Sequence, residues 1–471
     1  MARSDRQSEG LNVMDLSPLR TRIRGTVTVP ADAGYENLRR SMVWNLLVPE
    51  RRPRAIVQVA DVQDVIETVR FARASHLKLA IRGGGHSWVG FSLRDDTLLI
   101  DLARLDRVVI DAKTQRAVVQ PAVHTREFNR LLAAQALAFP VGHCPTVPMS
   151  GFLLNGGIGW NFNAWGPGCF SVEEAKVITA DGNLVTANAD ENPDLLWAIR
   201  GGGPGFFGAI VEYSLKLYPA PGAIVTSRYY YPLGWAESVG AWAGELARKF
   251  PNFVELSTRI ATAPAAIADR CRPSDGLALV VSATAFAASA SEAASSLGAL
   301  DTCPAADACL LKQPNRATTI DALLDLGGMA WPERHHFLAD TLWTNSSLGE
   351  VVARARDQLL GAPSTKSMVV CALLTGERSP LPDAAYSMSG DALLICYAVW
   401  DNEERRAENE QWHRATIAAL DRFAIGHYVG ESDIVSDPRR AERCYSPASW
   451  NRLQALRRKY DPDGLFATHF G

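Results

Sequence analysis

Apolar positions recur along this chain in two rhythms, and their arrangement divides it. A short run, AIVQVA (55–60), leads into a segment where Val62, Val65, Ile66 and Val69 recur at i, i+3, i+4 and i+7, with Asp61 placed to cap it. That predicts a strand and then a helix through residue 74. A second run, LKLAI (77–81), stops at Gly83, Gly84 and Gly85. Extended segments follow: LLIDL (98–102), then RVVI (107–110) and AVVQPAV (117–123) joined by the turn DAKTQ. From Thr125 the spacing turns helical, with Phe128, Leu131 and Leu132 on one face. Up to Pro219 the pattern predicts a compact α+β unit with many strands and few regular crossovers.

The composition shifts between Pro219 and Gly222, which marks a boundary. Beyond it, alanine-rich helical stretches (236–250, 286–300, 348–360, 403–423) alternate with extended runs, VELSTRIAT, LALVVSATAF, SMVVCALL and ALLICYAVW. Such alternation suits an antiparallel sheet covered by helices on one face. At 471 residues the chain is too long for one core. The expected organisation is therefore α+β with two domains: residues 1–220 (core 50–219), residues 221–440, and a charged tail, 441–471, returning to the first.

Composition narrows the function classes. A net charge of -3 gives no pull towards nucleic acid or an anionic membrane, so Arg20, Arg22 and Arg24 read as solvated. The opening MARSDRQSEGLNVMDL lacks the apolar stretch of a leader, and no run approaches the roughly 18 apolar residues of a membrane span. The 8 cysteines are scattered without a CxxC pair, which disfavours structural zinc and points to reduced thiols in the cytoplasm. His86, His124, His143 and Cys144 match no metal-ligand spacing, so no metal is expected.

Candidate chemistry sits in glycine-rich segments. Gly203-Pro204-Gly205-Phe206-Phe207-Gly208 matches GxGxxG, but a helical segment (NPDLLWAIR) leads in and a strand (AIVEYSLKLYP) leads out. That reverses the strand–loop–helix order a dinucleotide fold needs, so a nicotinamide-dependent reductase is disfavoured. Arg82-Gly83-Gly84-Gly85-His86-Ser87 is open to two readings: a loop that wraps a diphosphate beside a histidine, or a plain glycine turn. Cys144, in GHCPTV (142–147), is either a nucleophile at a glycine-rich loop or an inert buried thiol.

Together, IRGGGHS (81–87), GHCPTV (142–147), LLNGGIGW (153–160) and ADENPDLLWAIRGGGPGFFGAIVEYSLKLYP (189–219) resemble the berberine-bridge-enzyme-like FAD-linked oxidases. These belong to the vanillyl-alcohol-oxidase, or PCMH-type, flavoprotein superfamily. WN (44–45), DLARLD (101–106), HYVGESD (427–433) and YDPDGLF (460–466) add support. The resemblance is dense over 35–219, loose over the last 45 residues, and mainly one of pattern between. One departure is that Pro148-Met149-Ser150 separates CPTV from Gly151.

The resemblance implies FAD bound covalently, with His86 bonded to the flavin 8α-methyl and Cys144 supplying a second bond to C6. Arg82, Gly83, Gly84, Gly85, Ser87, Thr146, Val147, Gly151, Asn155, Gly156, Gly159, Trp160, Gly208 and Ile210 would complete the cofactor site. Val147 matches a position associated with oxygen access, which favours an oxidase. Tyr428 matches a tyrosine beside the ring system, and candidate bases are Tyr428, Tyr397, Glu377 and Glu431. The expected reaction takes hydride from a small alcohol (a sugar, an aromatic alcohol or a secondary metabolite) to flavin N5. O2 then accepts the electrons and gives H2O2. The rivals are a dehydrogenase of the same fold with another acceptor, and a flavin-loaded binding protein without turnover.

Overall fold

The computed structural model describes residues 15–377 and 379–470. The stretch 1–14, where a leader was sought, lies outside the described residues.

The first sheet contains β1 (Thr26–Thr28), β2 (Ala55–Gln58), β3 (Lys78–Arg82) and β4 (Thr97–Asp101), in the order β1-β2-β4-β3. β2 and β3 run parallel to β4. The helix Val62–Ala74 makes the crossover, and the Asp61 side chain accepts from Asp64 N at 3.1 Å. Of its expected apolar stripe, Val65 and Val69 are fully buried. The buried Asp64 carboxylate ties three strand-end amides together, accepting from the backbone of Arg24, Gly25 and Ala60 at 2.8 Å each.

The second sheet is antiparallel, ordered β5-β6-β10-β8-β9. Its strands are β5 (Val108–Asp111), β6 (Arg116–Val119), β8 (Val172–Ile178), β9 (Leu184–Ala187) and β10 (Ala209–Lys216), while β7 (Leu137–Ala138) pairs separately with β11 (Tyr218–Pro219). The order helix Pro193–Ile199, glycine segment, β10 matches the reversed order read around Gly203 to Gly208.

Seven strands form the third sheet, all antiparallel and ordered β15-β12-β14-β13-β17-β18-β16. They are β12 (Ala223–Tyr231), β13 (Val254–Thr262), β14 (Leu277–Ala287), β15 (Leu311–Thr318), β16 (His336–Thr344), β17 (Met368–Leu373) and β18 (Ala392–Trp400). Helices Ala236–Ala247, Ala290–Leu297, Leu348–Leu359 and Arg406–Leu420 pack one face, burying Leu256, Leu279, Val281 and Leu394. The other face is turned towards the first two sheets.

In this sheet the strands β12, β15 and β16 fall outside the elements expected from the sequence. β15 is a polar edge strand with Pro314 and little burial on either face, so it has no alternation to detect. β12 is nearly all buried, which erases period 2, and β16 is buried along almost its whole length. The helix Ile320–Ala330 was likewise unforeseen. The helix expected from 286 begins at Ala290, because Phe286 and Ala287 complete β14 and Ser289 caps by accepting from Glu292 N.

The tail carries the helix Pro447–Tyr460, whose Leu453 and Leu456 join the core of the second sheet together with Phe470. Its last residues run beside β3, Leu79 N donating to Leu465 O and Ala467 N to Leu79 O, both at 2.8 Å.

Candidate active site

Between the open face of the seven-stranded sheet and the glycine-rich loops lies a cavity of about 730 Å³. Asn45 joins its two sides: Nδ2 donates to the carbonyls of Trp88 and Phe337, both at 2.8 Å, and Phe337 N donates back to Oδ1.

The loop after β3 forms one wall. Arg82 is locked in place, its guanidinium bonding Asp101 at 2.8 Å, Met42 O at 2.9 Å and Gly84 O at 3.1 Å. A Cβ on Gly84 would overlap the Pro148 ring, and Gly85 has φ +73 with its α-carbon facing the Met42 carbonyl. Glycine is required there because the loop is squeezed against protein behind it while its amides stay open to the cavity. Pro148 and Ser150, the residues that depart from the family pattern, are the surface it rests on.

His86 follows the glycines, stacked on Trp44 at 5.0 Å, with Nε2 2.9 Å from Thr146 Oγ1. Burial, with smaller contributions from His124 and Arg82, pushes its pKa down to about 3, so the imidazole is neutral near pH 7. Cys144 lines the same cavity from the neighbouring loop. Burial and the Glu431 carboxylate push this thiol up to about 12. Its backbone is held from behind by the helix Ile320–Ala330, where a Cβ on Gly327 would overlap the His143 carbonyl.

Gly83, Ser87, Val147, Gly151, Asn155, Trp160, Gly208 and Ile210 also line the cavity. Three expected residues do not. Thr146 instead contacts His86 Nε2, Gly156 backs onto the Tyr386 ring and Gly159 onto the Pro140 carbonyl.

The candidate bases separate clearly. Tyr397 donates to Glu431 Oε2 at 2.6 Å inside the cavity, and burial raises the pKa of both groups. Tyr428 also faces the cavity, its phenol oxygen accepting from Gly157 N at 3.3 Å and Ile158 N at 3.5 Å. Glu377, in contrast, is exposed in the loop after β17 and does not line the cavity.

Sequence reasoning missed the polar floor. Glu255, Ser257 and Arg259 on β13, and Arg228 and Tyr230 on β12, face the cavity. The signal was present: in VELSTRIAT, Glu255, Ser257 and Arg259 fall at alternate positions, which puts them on one face of the strand. Burial raises Glu255 to about 8 while it accepts from Phe162 N at 3.2 Å.

A dinucleotide-sized cofactor fits this donor set. Arg94 Nη2, Ser87 Oγ and Asn155 Oδ1 are buried without hydrogen-bond partners around the cavity, as groups awaiting a polar ligand would be. Residues 53–188 match the FAD binding domain family. Berberine bridge enzyme from Eschscholzia californica superposes with a TM-score of 0.79 at 21% identity, over 97% of this chain and 98% of that one. Fold, site and sequence thus define an FAD-binding oxidoreductase with the berberine-bridge-enzyme-like architecture.

Curated relatives agree along almost the whole chain. The FAD-linked oxidoreductase ptmO of Penicillium ochrochloron is 26% identical over 91% of this chain and 92% of its own length. The (R)-6-hydroxynicotine oxidase of Paenarthrobacter nicotinovorans is 25% identical over 95% and 96%. Among the described residues, all eight cysteines are free and no helix is long and apolar enough to cross a membrane.

Proposed function

We propose that this protein is an oxidase with covalently tethered FAD, acting on a small alcohol and using O2 as acceptor. Residues 1–220 and 441–471 would form the flavin-binding unit and 221–440 the substrate unit. The observation that carries the reading is the meeting of a neutral His86, Cys144 and the Tyr397–Glu431 pair in one cavity.

The Gly83–Gly85 amides and Arg94 would hold the diphosphate-bearing cofactor. Thr146 engages Nε2 of His86, which leaves Nδ1 as the nucleophile towards the flavin 8α-methyl, with Nε2–H donating to the threonine. A thiol held near 12 is seldom ionised, so the Cys144 bond to C6 would form second. FAD held here would supply a two-electron acceptor for substrate hydride, and O2 would take those two electrons together with two protons to give H2O2.

The chain's own contribution is proton removal and orientation. Tyr397, hydrogen-bonded to Glu431, would take the alcohol proton on its phenol oxygen while its own phenol hydrogen passes to the Glu431 carboxylate. Tyr428 fixes the Gly157–Ile158 backbone beside the site. Val147 lines the cavity where oxygen access is expected, and the oxidase name of one relative supports O2 as acceptor.

The test is the intact mass and visible absorbance of acid-unfolded protein, for wild type, His86→Ala and Cys144→Ala. One added FAD that survives unfolding supports tethering, and persistence in each single variant supports two bonds. A colourless, unmodified chain overturns the covalent reading. An oxygen electrode with any turned-over substrate then separates oxidase from dehydrogenase.

A further inference from the structure

The floor of the cavity carries two positive charges that no described residue neutralises. On the sheet, Arg228 stands opposite Ser282, and Ser282 opposite Ser257. In the next row Tyr230 stands opposite Val280, and Val280 opposite Arg259. Two guanidinium groups therefore border a pair of hydroxyls, and all four side chains line the cavity. Among the described residues none of these four side chains has an ion-pair or hydrogen-bond partner.

On the reading that this cavity is the substrate site, we infer that the substrate carries an oxyanion, a carboxylate or phosphate ester, bound by Arg228 and Arg259 with Ser257 and Ser282.

The alternative countercharges fail. Glu255 shares the strand face but bonds the Phe162 amide, and a carboxyl held near 8 is mostly protonated at neutral pH. The other arginine of the cavity wall with a built-in acid, Arg82, is satisfied by Asp101 at 2.8 Å. Arg259 has only Tyr230 and a second cation, Arg228, in its electrostatic surroundings, and burial already lowers its pKa. Two like charges in an enclosed site are costly once a ligand displaces water, unless that ligand brings the compensating charge. Guanidinium groups suit an oxyanion, which they can hold through paired N–H donors.

Spacing adds to the substrate description. Arg259 faces Val370, Val370 faces Ile395, and Tyr397 lies two residues further along β18. Two strand spacings and one two-residue step put the α-carbons of Arg259 and Tyr397 roughly 12 Å apart. Between them the floor is apolar, formed by Val370 and Ile395 under Trp331. The predicted substrate is thus an alcohol with an apolar or aromatic body, its carbinol towards Tyr397 and its anionic end towards Arg259.

Isothermal titration calorimetry of the flavin-loaded protein with benzoate, phenyl phosphate and neutral benzamide tests this without turnover. Benzoate or phenyl phosphate should bind at least tenfold more tightly than benzamide and weaken with added salt, the tighter of the two identifying the anion. Arg259→Met and Arg228→Met should each lose at least tenfold for the anion and leave benzamide unchanged. Equal affinities for anion and amide in wild type overturn the inference, even if the variants fail to fold; so does unchanged anion binding in folded variants. Flavin content, read separately by absorbance, shows whether the parent reading fails instead.

Discussion

Acid should destabilise this protein through a histidine buried under the sheet that floors the cavity. His413 lies on the helix Arg406–Leu420, is 3% exposed, and has Nε2 3.2 Å from the Cys396 carbonyl, so Nε2–H donates. Burial depresses its pKa to about 4. An unfolded imidazole titrates near 6.5, so between these values the unfolded chain binds the proton that the folded one refuses. The contribution of this neutral histidine is therefore complete above about pH 6.5 and is lost as pH falls towards about 4. Integrating those two values, going from about pH 7 to about pH 5 costs about 1.8 kcal/mol. His413→Gln keeps an N–H for the carbonyl but cannot titrate. In urea unfolding followed by tryptophan fluorescence, wild type should lose about 1.8 kcal/mol more than the variant across that interval. His143 and His427, also held near 4, are common to both proteins and cancel in the difference. Equal losses in the two proteins would refute the assignment of a neutral, proton-excluding His413.

Three further outcomes are expected. Gly84→Ala sets a Cβ against Pro148, and should cost about 1–3 kcal/mol and lower the flavin retained, read from melting and the visible-to-ultraviolet absorbance ratio. Asp64→Ala strips three backbone N–H groups of their acceptor and should cost about 3 kcal/mol or more in thermal unfolding. Tyr397→Phe should lower kcat/KM by about 10²–10⁴ with flavin content unchanged, whereas a loss under about tenfold would move proton removal to another group.

The cofactor half of the site was legible through the family resemblance that its local motifs carry together. Three glycines after a strand, a histidine next to them and a cysteine at the next glycine-rich loop are contiguous in sequence, and backbone sterics give such runs a narrow range of uses. Strands β13 and β18 were equally plain, β13 from alternating positions and β18 from a continuous apolar run, both short-range properties. β15 stayed hidden because an exposed edge has no buried face to write into its sequence.

What the sequence alone determined, then, is the kind of fold and the cofactor class. The fold follows from periodic rules acting over a few residues, and the cofactor class from the family resemblance that the local motifs carry together. Only the tertiary structure decided which polar side chains meet. It paired Tyr397 with Glu431, set Arg228 near Arg259 across the intervening β14, sent Glu377 to solvent, and backed Gly156 and Gly159 onto Tyr386 and Pro140. Those outcomes depend on strand register and on segments far apart in the chain, as when Asn45 reaches Phe337. Register is fixed by how whole sheets bury their apolar faces, which no short stretch of sequence contains.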